Sequence, residues 1–125
     1  MIVGVGTDVV SIERVGDAME RWGERFVNRI LTPEERVRYE HTRLKASHLA
    51  KRFAAKEAFA KAIGTGIRMP FRWHSVSVGR DPRGKPGLVP SQDMARHLAG
   101  IGVTASHLSL ADDAGVALAF VVLEG

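Results

Sequence analysis

The chain has 125 residues, no cysteine and a net charge of +4. That length fits one compact domain over residues 1–125. The lack of cysteine excludes a disulfide framework and a thiolate zinc site, and agrees with a cytoplasmic protein.

No apolar run is long enough to span a bilayer, so no membrane partner is expected. The charge is uneven: residues 43–90 carry +9, residues 1–42 carry −2 and residues 91–125 carry −3. A basic middle attracts phosphates, nucleic acid, anionic lipid or acidic protein. The eight aromatic residues are not interleaved with that block, and no nucleic-acid motif appears, so nucleic acid is not expected as a partner.

MIVGVGTDVV lacks a basic lead-in and already contains Asp8, so it reads as a first strand over residues 2–10 and not as a signal peptide. Alternation puts Val3, Val5, Thr7 and Val9 on one face and Gly4, Gly6 and Asp8 on the other. The two glycines leave room for a ligand or another backbone to come close beside a carboxylate. The third glycine of a dinucleotide fingerprint is missing, because its place holds Val9.

Ser11 caps a helix running to about Trp22, with Ile12, Val15, Met19 and Trp22 as its apolar stripe. A basic stripe holds Arg14, Arg21 and, past Gly23, Arg25. It is either a solvated face with an Asp17–Arg21 pair or a row of cations for an acidic partner. Thr32-Pro33-Glu34-Glu35 starts a second helix to about His41.

The central helix is predicted over Leu49–Ile63. Leu49, Phe53, Ala60 and Ile63 form its apolar stripe, with Lys56 inside that stripe and Arg52 and Glu57 on its edges. The other face is Ala54, Ala55, Ala58 and Ala62, which permits a close neighbour. Ionised groups beside a core need partners. They form either an inward Lys–Glu or Arg–Glu pair that fixes packing, or a metal or anion site. Gly64-Thr65-Gly66 then either ends the helix or lies against a phosphate, but it is no P-loop.

His74–Gly79 reads as a strand, 81–87 as a turn, and Leu88 and Val89 as a short return. Ser91 caps a helix with Met94, Leu98 and Ile101 inward. In Ala105–Ala111, Leu108 and Leu110 face one way and His107 and Ser109 the other. Val116–Leu123 reads as a central strand covered on both faces. The order β, three helices, β, β, α, β, β implies an α+β fold, an antiparallel sheet with helices packed on one side.

Two motifs, GVGTDVVSIERV at the amino terminus and RFAAKEAFAKAIGTGI at 52–67, resemble the holo-acyl-carrier-protein synthases, small bacterial 4′-phosphopantetheinyl transferases. The Gly84-Lys85-Pro86 turn and the 107–110 strand extend the resemblance along nearly the whole chain. It implies Mg²⁺-dependent transfer of the phosphopantetheine arm of coenzyme A to a serine of apo-acyl carrier protein, releasing adenosine 3′,5′-bisphosphate. It also implies a homotrimer with active sites at subunit boundaries, whose contacts would cover the Ala-rich face of the central helix.

By resemblance Asp8 and Glu57 are the metal ligands, and Glu57 and Lys61 are catalytic. The base is Lys61, which needs a lowered pKa, or a metal-bound water oriented by Glu57. Arg52 and Lys56 are candidates for the coenzyme A phosphates. The 64–66 loop, Lys85, Pro86 and His107 border the nucleotide. Arg14, extended by Arg21 and Arg25, docks the acidic carrier. One departure is Ala111-Asp112, where many members carry Ser-His or Thr-His, so position 111 supplies no histidine. The alternative function is a non-catalytic module that binds coenzyme A or the carrier.

Overall fold

A computed structural model describes Met1–Gly125. Strand β1 spans Ile2–Ser11 and is followed by helices α1 (Ile12–Trp22), α2 (Glu24–Ile30), α3 (Pro33–Glu40) and α4 (Lys45–Ala62). A 3-10 turn at Trp73–Ser75 leads into β2 (Val76–Arg80) and β3 (Pro86–Pro90). Helix α5 (Gln92–Gly100) precedes β4 (Ala105–Asp113) and β5 (Val116–Glu124). The α+β class holds, with five strands divided between two antiparallel sheets, β1-β5-β4 and β2-β3.

Four helices, not three, precede β2. The extra one, α2, begins after Gly23, whose φ of +56° turns the chain out of α1. Its seven residues are too few for a clear periodic signal. The predicted cap residues act as expected: Ser11 accepts from the Arg14 backbone N–H, and Thr32 and Glu35 form a reciprocal capping box with Pro33 inside the first turn.

Helix α4 lies across the three-stranded sheet. Its alanine face meets the glycine face of β1 backbone to backbone. A Cβ built on Gly4 would stand 1.9 Å from the Ala62 carbonyl oxygen, and one on Gly6 would stand 1.9 Å from that of Ala58. No side chain fits there, so the two glycines set how closely helix and sheet approach. The close neighbour of the alanine face is therefore this chain's own sheet. The expectation that trimer contacts cover that face is corrected.

Ala117, Ala119, Val121 and Leu123 of β5 are fully buried towards α4, beside Phe59. Burying a large apolar side chain of this kind contributes about 1.5–3 kcal/mol. β5 is the central strand, but only this face is covered. Its other face exposes Leu118 and Phe120, in register with exposed Val9 and with Thr7 on β1. An apolar run can be central in a sheet and still face outward on one side, because neighbours within a sheet do not cover its faces.

Candidate active site

Asp8 shares the Gly4–Gly6 face of β1, towards α4. It pairs with Ala119 across the sheet. Its Oδ1 accepts a hydrogen bond of 3.2 Å from Lys61 Nζ, which also donates to the Thr7 carbonyl at 2.9 Å. The Asp8 side chain is 16% exposed and that of Lys61 50%. Glu57 lies one turn before Lys61 on α4 and is partly buried. Burial raises the Glu57 carboxyl above the ordinary carboxylate range. The Asp8 charge raises it further, and Lys61 opposes both. Two mutually repelling carboxylates thus share one lysine at the seam of helix and strand. That donor set, two carboxylates and a charge deficit, fits a hard divalent cation completed by phosphate and water oxygens.

Lys56, next to Glu57, does something different. Its ammonium has no exposure and uses all three hydrogens: 2.6 Å to Glu35 Oε1, 2.6 Å to the Ile30 carbonyl and 2.9 Å to the Trp73 carbonyl. Glu35 also accepts from Thr32 N at 2.9 Å and from Val78 N at 3.0 Å. This node ties α2, α3, α4 and β2 together. Lys56 is therefore not free for a coenzyme A phosphate, nor is it paired with Asp8 or Glu57. The packing alternative holds for this residue, with Glu35 as the partner. The capping pattern announced Glu35 at its helix position, but not that its carboxylate reaches α4.

Arg52 is also buried, at 1% exposure, yet its Nε and Nη1 have no hydrogen-bond partner. It lines a cavity of about 560 Å³ between α3, α4 and the β2–β3 hairpin, with Arg38 and Arg80. Those two also line a second cavity of about 560 Å³ that includes Arg43, Lys51 and Gly84 of the hairpin turn. Of the predicted turn residues, Lys85 is exposed and Pro86 begins β3. Arg38 and Arg80 were missed as candidates. Arg80 lies in the basic block, while Arg38 precedes it, and nothing local marks either one.

Gly64, Thr65 and Gly66 end α4. The Thr65 and Gly66 amides both donate to the Ala60 carbonyl, and both glycines have positive φ. None of the three lines either cavity. His107 is exposed on β4 and bonds to Glu124 Oε1 at 2.9 Å. In register with Val122 and, across β5, with Val5, it lies on the sheet face away from Asp8. Within one chain it does not meet the carboxylate pair.

Arg14, Arg21 and Arg25 are all exposed. The Asp17–Arg21 pair does not form; Arg21 instead stacks on Trp22, 5.8 Å from the ring centroid. Trp22 was expected inward but is 57% exposed. With Arg25, Phe26 and Arg29 it lines a broad depression on α1 and α2.

The 4′-phosphopantetheinyl transferase superfamily model matches residues 4–121. The chain is 48% identical over 124 residues to a holo-[acyl-carrier-protein] synthase of Thiobacillus denitrificans, covering 99% of this chain and 95% of the relative. It is similar to the crystal structure of the holo-[acyl-carrier-protein] synthase from Neisseria meningitidis, with a TM-score of 0.96 and 42% identity over the whole of both chains. It is also similar to the Helicobacter pylori holo-[acyl-carrier-protein] synthase in complex with coenzyme A, with a TM-score of 0.85 and 30% identity, covering 96% of this chain and 99% of that one.

Proposed function

The chain belongs to the 4′-phosphopantetheinyl transferase superfamily, and from that premise we propose that it is a holo-[acyl-carrier-protein] synthase, like its relatives. It transfers the phosphopantetheine arm of coenzyme A to a serine of apo-acyl carrier protein. The serine oxygen bonds to the phosphorus that carries the arm. The bond from that phosphorus to the bridging oxygen breaks, and adenosine 3′,5′-bisphosphate leaves with the electron pair. The observation that carries this reading is the Asp8–Glu57 pair across the β1–α4 seam, with Lys61 on Asp8.

Asp8 and Glu57 are the residues that would hold Mg²⁺, which supplies charge neutralisation for the pyrophosphate. Lys61, hydrogen-bonded to Asp8 and the Thr7 carbonyl, orients Asp8 and can donate to a phosphate oxygen. An ammonium is no base, so Lys61 takes the serine proton only once it has given up one of its own. Arg52, buried and without a partner, takes a coenzyme A phosphate.

The exposed arginines of α1 and α2 dock the acidic carrier, with Arg14 nearest the β1 junction. Exposed Val3, Val5, Val9, Leu118 and Phe120 form an apolar sheet face too extensive to leave in water. Burying it in a homotrimer would put His107, on the same face, at a subunit boundary. No helix of the fold is long and apolar enough to cross a membrane.

The test is mass spectrometry of apo-acyl carrier protein after incubation with this protein, coenzyme A and Mg²⁺. A gain of one phosphopantetheine, abolished by EDTA, is expected. No gain with folded protein and several carriers would leave a non-catalytic module that binds coenzyme A or the carrier.

A further inference from the structure

We propose that Lys56 and Glu35 are a positioning pair for Glu57: by tying α4 to three other segments, Lys56 fixes the rotation of the helix and so aims the Glu57 carboxylate at the Asp8 seam. This role rests on the transferase reading of that seam. Lys56 and Glu57 are consecutive on α4, so their side chains leave the helix about 100° apart. Glu57 lies within reach of the charges of Asp8 and Lys61. Lys56 reaches the other way, to the Ile30 carbonyl at the end of α2, to Glu35 on α3 and to the Trp73 carbonyl before β2.

The contacts of α4 with β1 leave its rotation open. Gly4 and Gly6 carry no side chains, and the Ala62 and Ala58 carbonyls lie where their Cβ atoms would stand. So smooth a contact sets the spacing of helix and strand, but nothing interlocks to stop the helix turning in place. The packing of Leu49 and Phe59 is apolar and non-directional. The Lys61–Asp8 bond is half-exposed and belongs to the seam that has to be aimed. The three bonds of Lys56 are directional, converge from three segments and are closed to solvent. Glu35 is itself pinned by Thr32 N and Val78 N, so the chain of contacts runs from α3 and β2 into α4. A buried ion pair adds little net stability over an apolar pair of the same volume. What it adds here is direction. Side-chain ends lie about 5–6 Å from a helix axis, so a turn of about 10° moves the Glu57 carboxylate by about 1 Å. A misplacement of that size costs about a hundredfold in rate.

Mn²⁺ titration of the full chain, saturated with coenzyme A and without carrier, reads the seam without turnover through loss of the free-ion electron paramagnetic resonance signal. Lys56→Met should raise Kd for Mn²⁺ about tenfold or more, the scale for removing a group behind a metal ligand. Its kcat for carrier modification should fall with KM for coenzyme A unchanged, because Lys56 lines neither basic cavity. Glu35→Gln leaves Lys56 its two carbonyls and should weaken Mn²⁺ binding less. It carries the same test if circular dichroism shows that Lys56→Met does not fold. Leu98→Ala, which opens a cavity under α5, is the control for lost stability alone and should keep the wild-type Kd and kcat.

If the folded variants of the pair behave as Leu98→Ala does, Lys56 and Glu35 only hold the fold, and the positioning role is overturned while the transferase reading stands. A wild type that takes up no Mn²⁺ overturns the seam as a metal site and the positioning role with it. If that wild type also modifies no carrier, the transferase reading falls too.

Discussion

Lys56 and Glu57 are consecutive on α4, yet they belong to two regions built on opposite rules. Around Lys56 every donor is used: three bonds on the ammonium, and Glu35 bridging to α3 and β2. Around Glu57 charge is left unbalanced: two carboxylates repel, and one half-exposed lysine answers Asp8. A saturated buried pair holds elements in place and has nothing left for a ligand. An under-compensated pair at a seam is costly to the empty fold, and a cation that binds there recovers that cost. Hydrogen-bond capacity left open, more than burial or charge alone, separates a site from a brace.

The sharpest way to break this contrast is to open the brace. Lys56→Met leaves Glu35 as a buried carboxylate without its counter-ion. Urea unfolding should show a loss of about 3–5 kcal/mol. A loss under about 1 kcal/mol would mean that the node is dispensable.

The opposite substitution should spare the fold and stop the chemistry. Glu57→Gln keeps shape and removes charge. Transfer to the carrier, followed by mass spectrometry, should fall about a thousandfold, matching several kcal/mol of lost charge stabilisation. The folded chain raises the Glu57 pKa, so its ionisation is a burden at pH above that value and none below the unfolded value near 4.5. Urea midpoints of Glu57→Gln at pH 7 should therefore equal or exceed wild type. A large drop would make Glu57 part of the brace.

His48 sharpens the contrast from a third side. It is buried on α4, with Nδ1 3.3 Å from the Thr42 hydroxyl and Nε2 unpartnered. Burial, with Arg52, Lys51, Arg38 and Arg80 around it, lowers its pKa to about 3 from 6.5. Below 6.5 the unfolded chain binds a proton that the folded chain refuses, so stability falls as pH drops from about 6.5 towards 3. Above 6.5 this contribution is complete and constant. His48→Gln should flatten that limb in a series of urea melts. An unchanged slope would mean that other groups carry it.

The smallest effect is expected at the surface. Arg14→Ala removes one exposed cation without a carboxylate partner. KM for the carrier should rise up to about fivefold, the scale of a single exposed ion pair, with KM for coenzyme A unchanged. The reverse pattern would misplace the docking face.

Much of α4's meaning was legible in advance. The ionised residues inside an apolar stripe marked the helix as unusual, the two glycines of β1 left room for a ligand or another backbone, and the resemblance joined Asp8 to Glu57. Several assignments were not legible. Lys56 was placed with the phosphates because its stripe position and its motif are local facts, while its partner is 21 residues away on another helix. The alanine face was given to a neighbouring subunit because small residues say only that something comes close. His107 kept its predicted alternation with Leu108, but which side of the sheet α4 would cover depended on the helix crossing β1 and β5.

The sequence by itself determined most element types, the caps and the room for a close approach at Gly4 and Gly6. These follow from backbone sterics and periodicity, which act over a few residues. Only the tertiary structure decided which charges are satisfied. Glu35 closes on Lys56, Arg52 is left without a partner, and one face of β5 stays open. The physical reason is that a hydrogen-bond partner is assigned by three-dimensional packing between distant segments, and no local pattern encodes which donor an acceptor will meet.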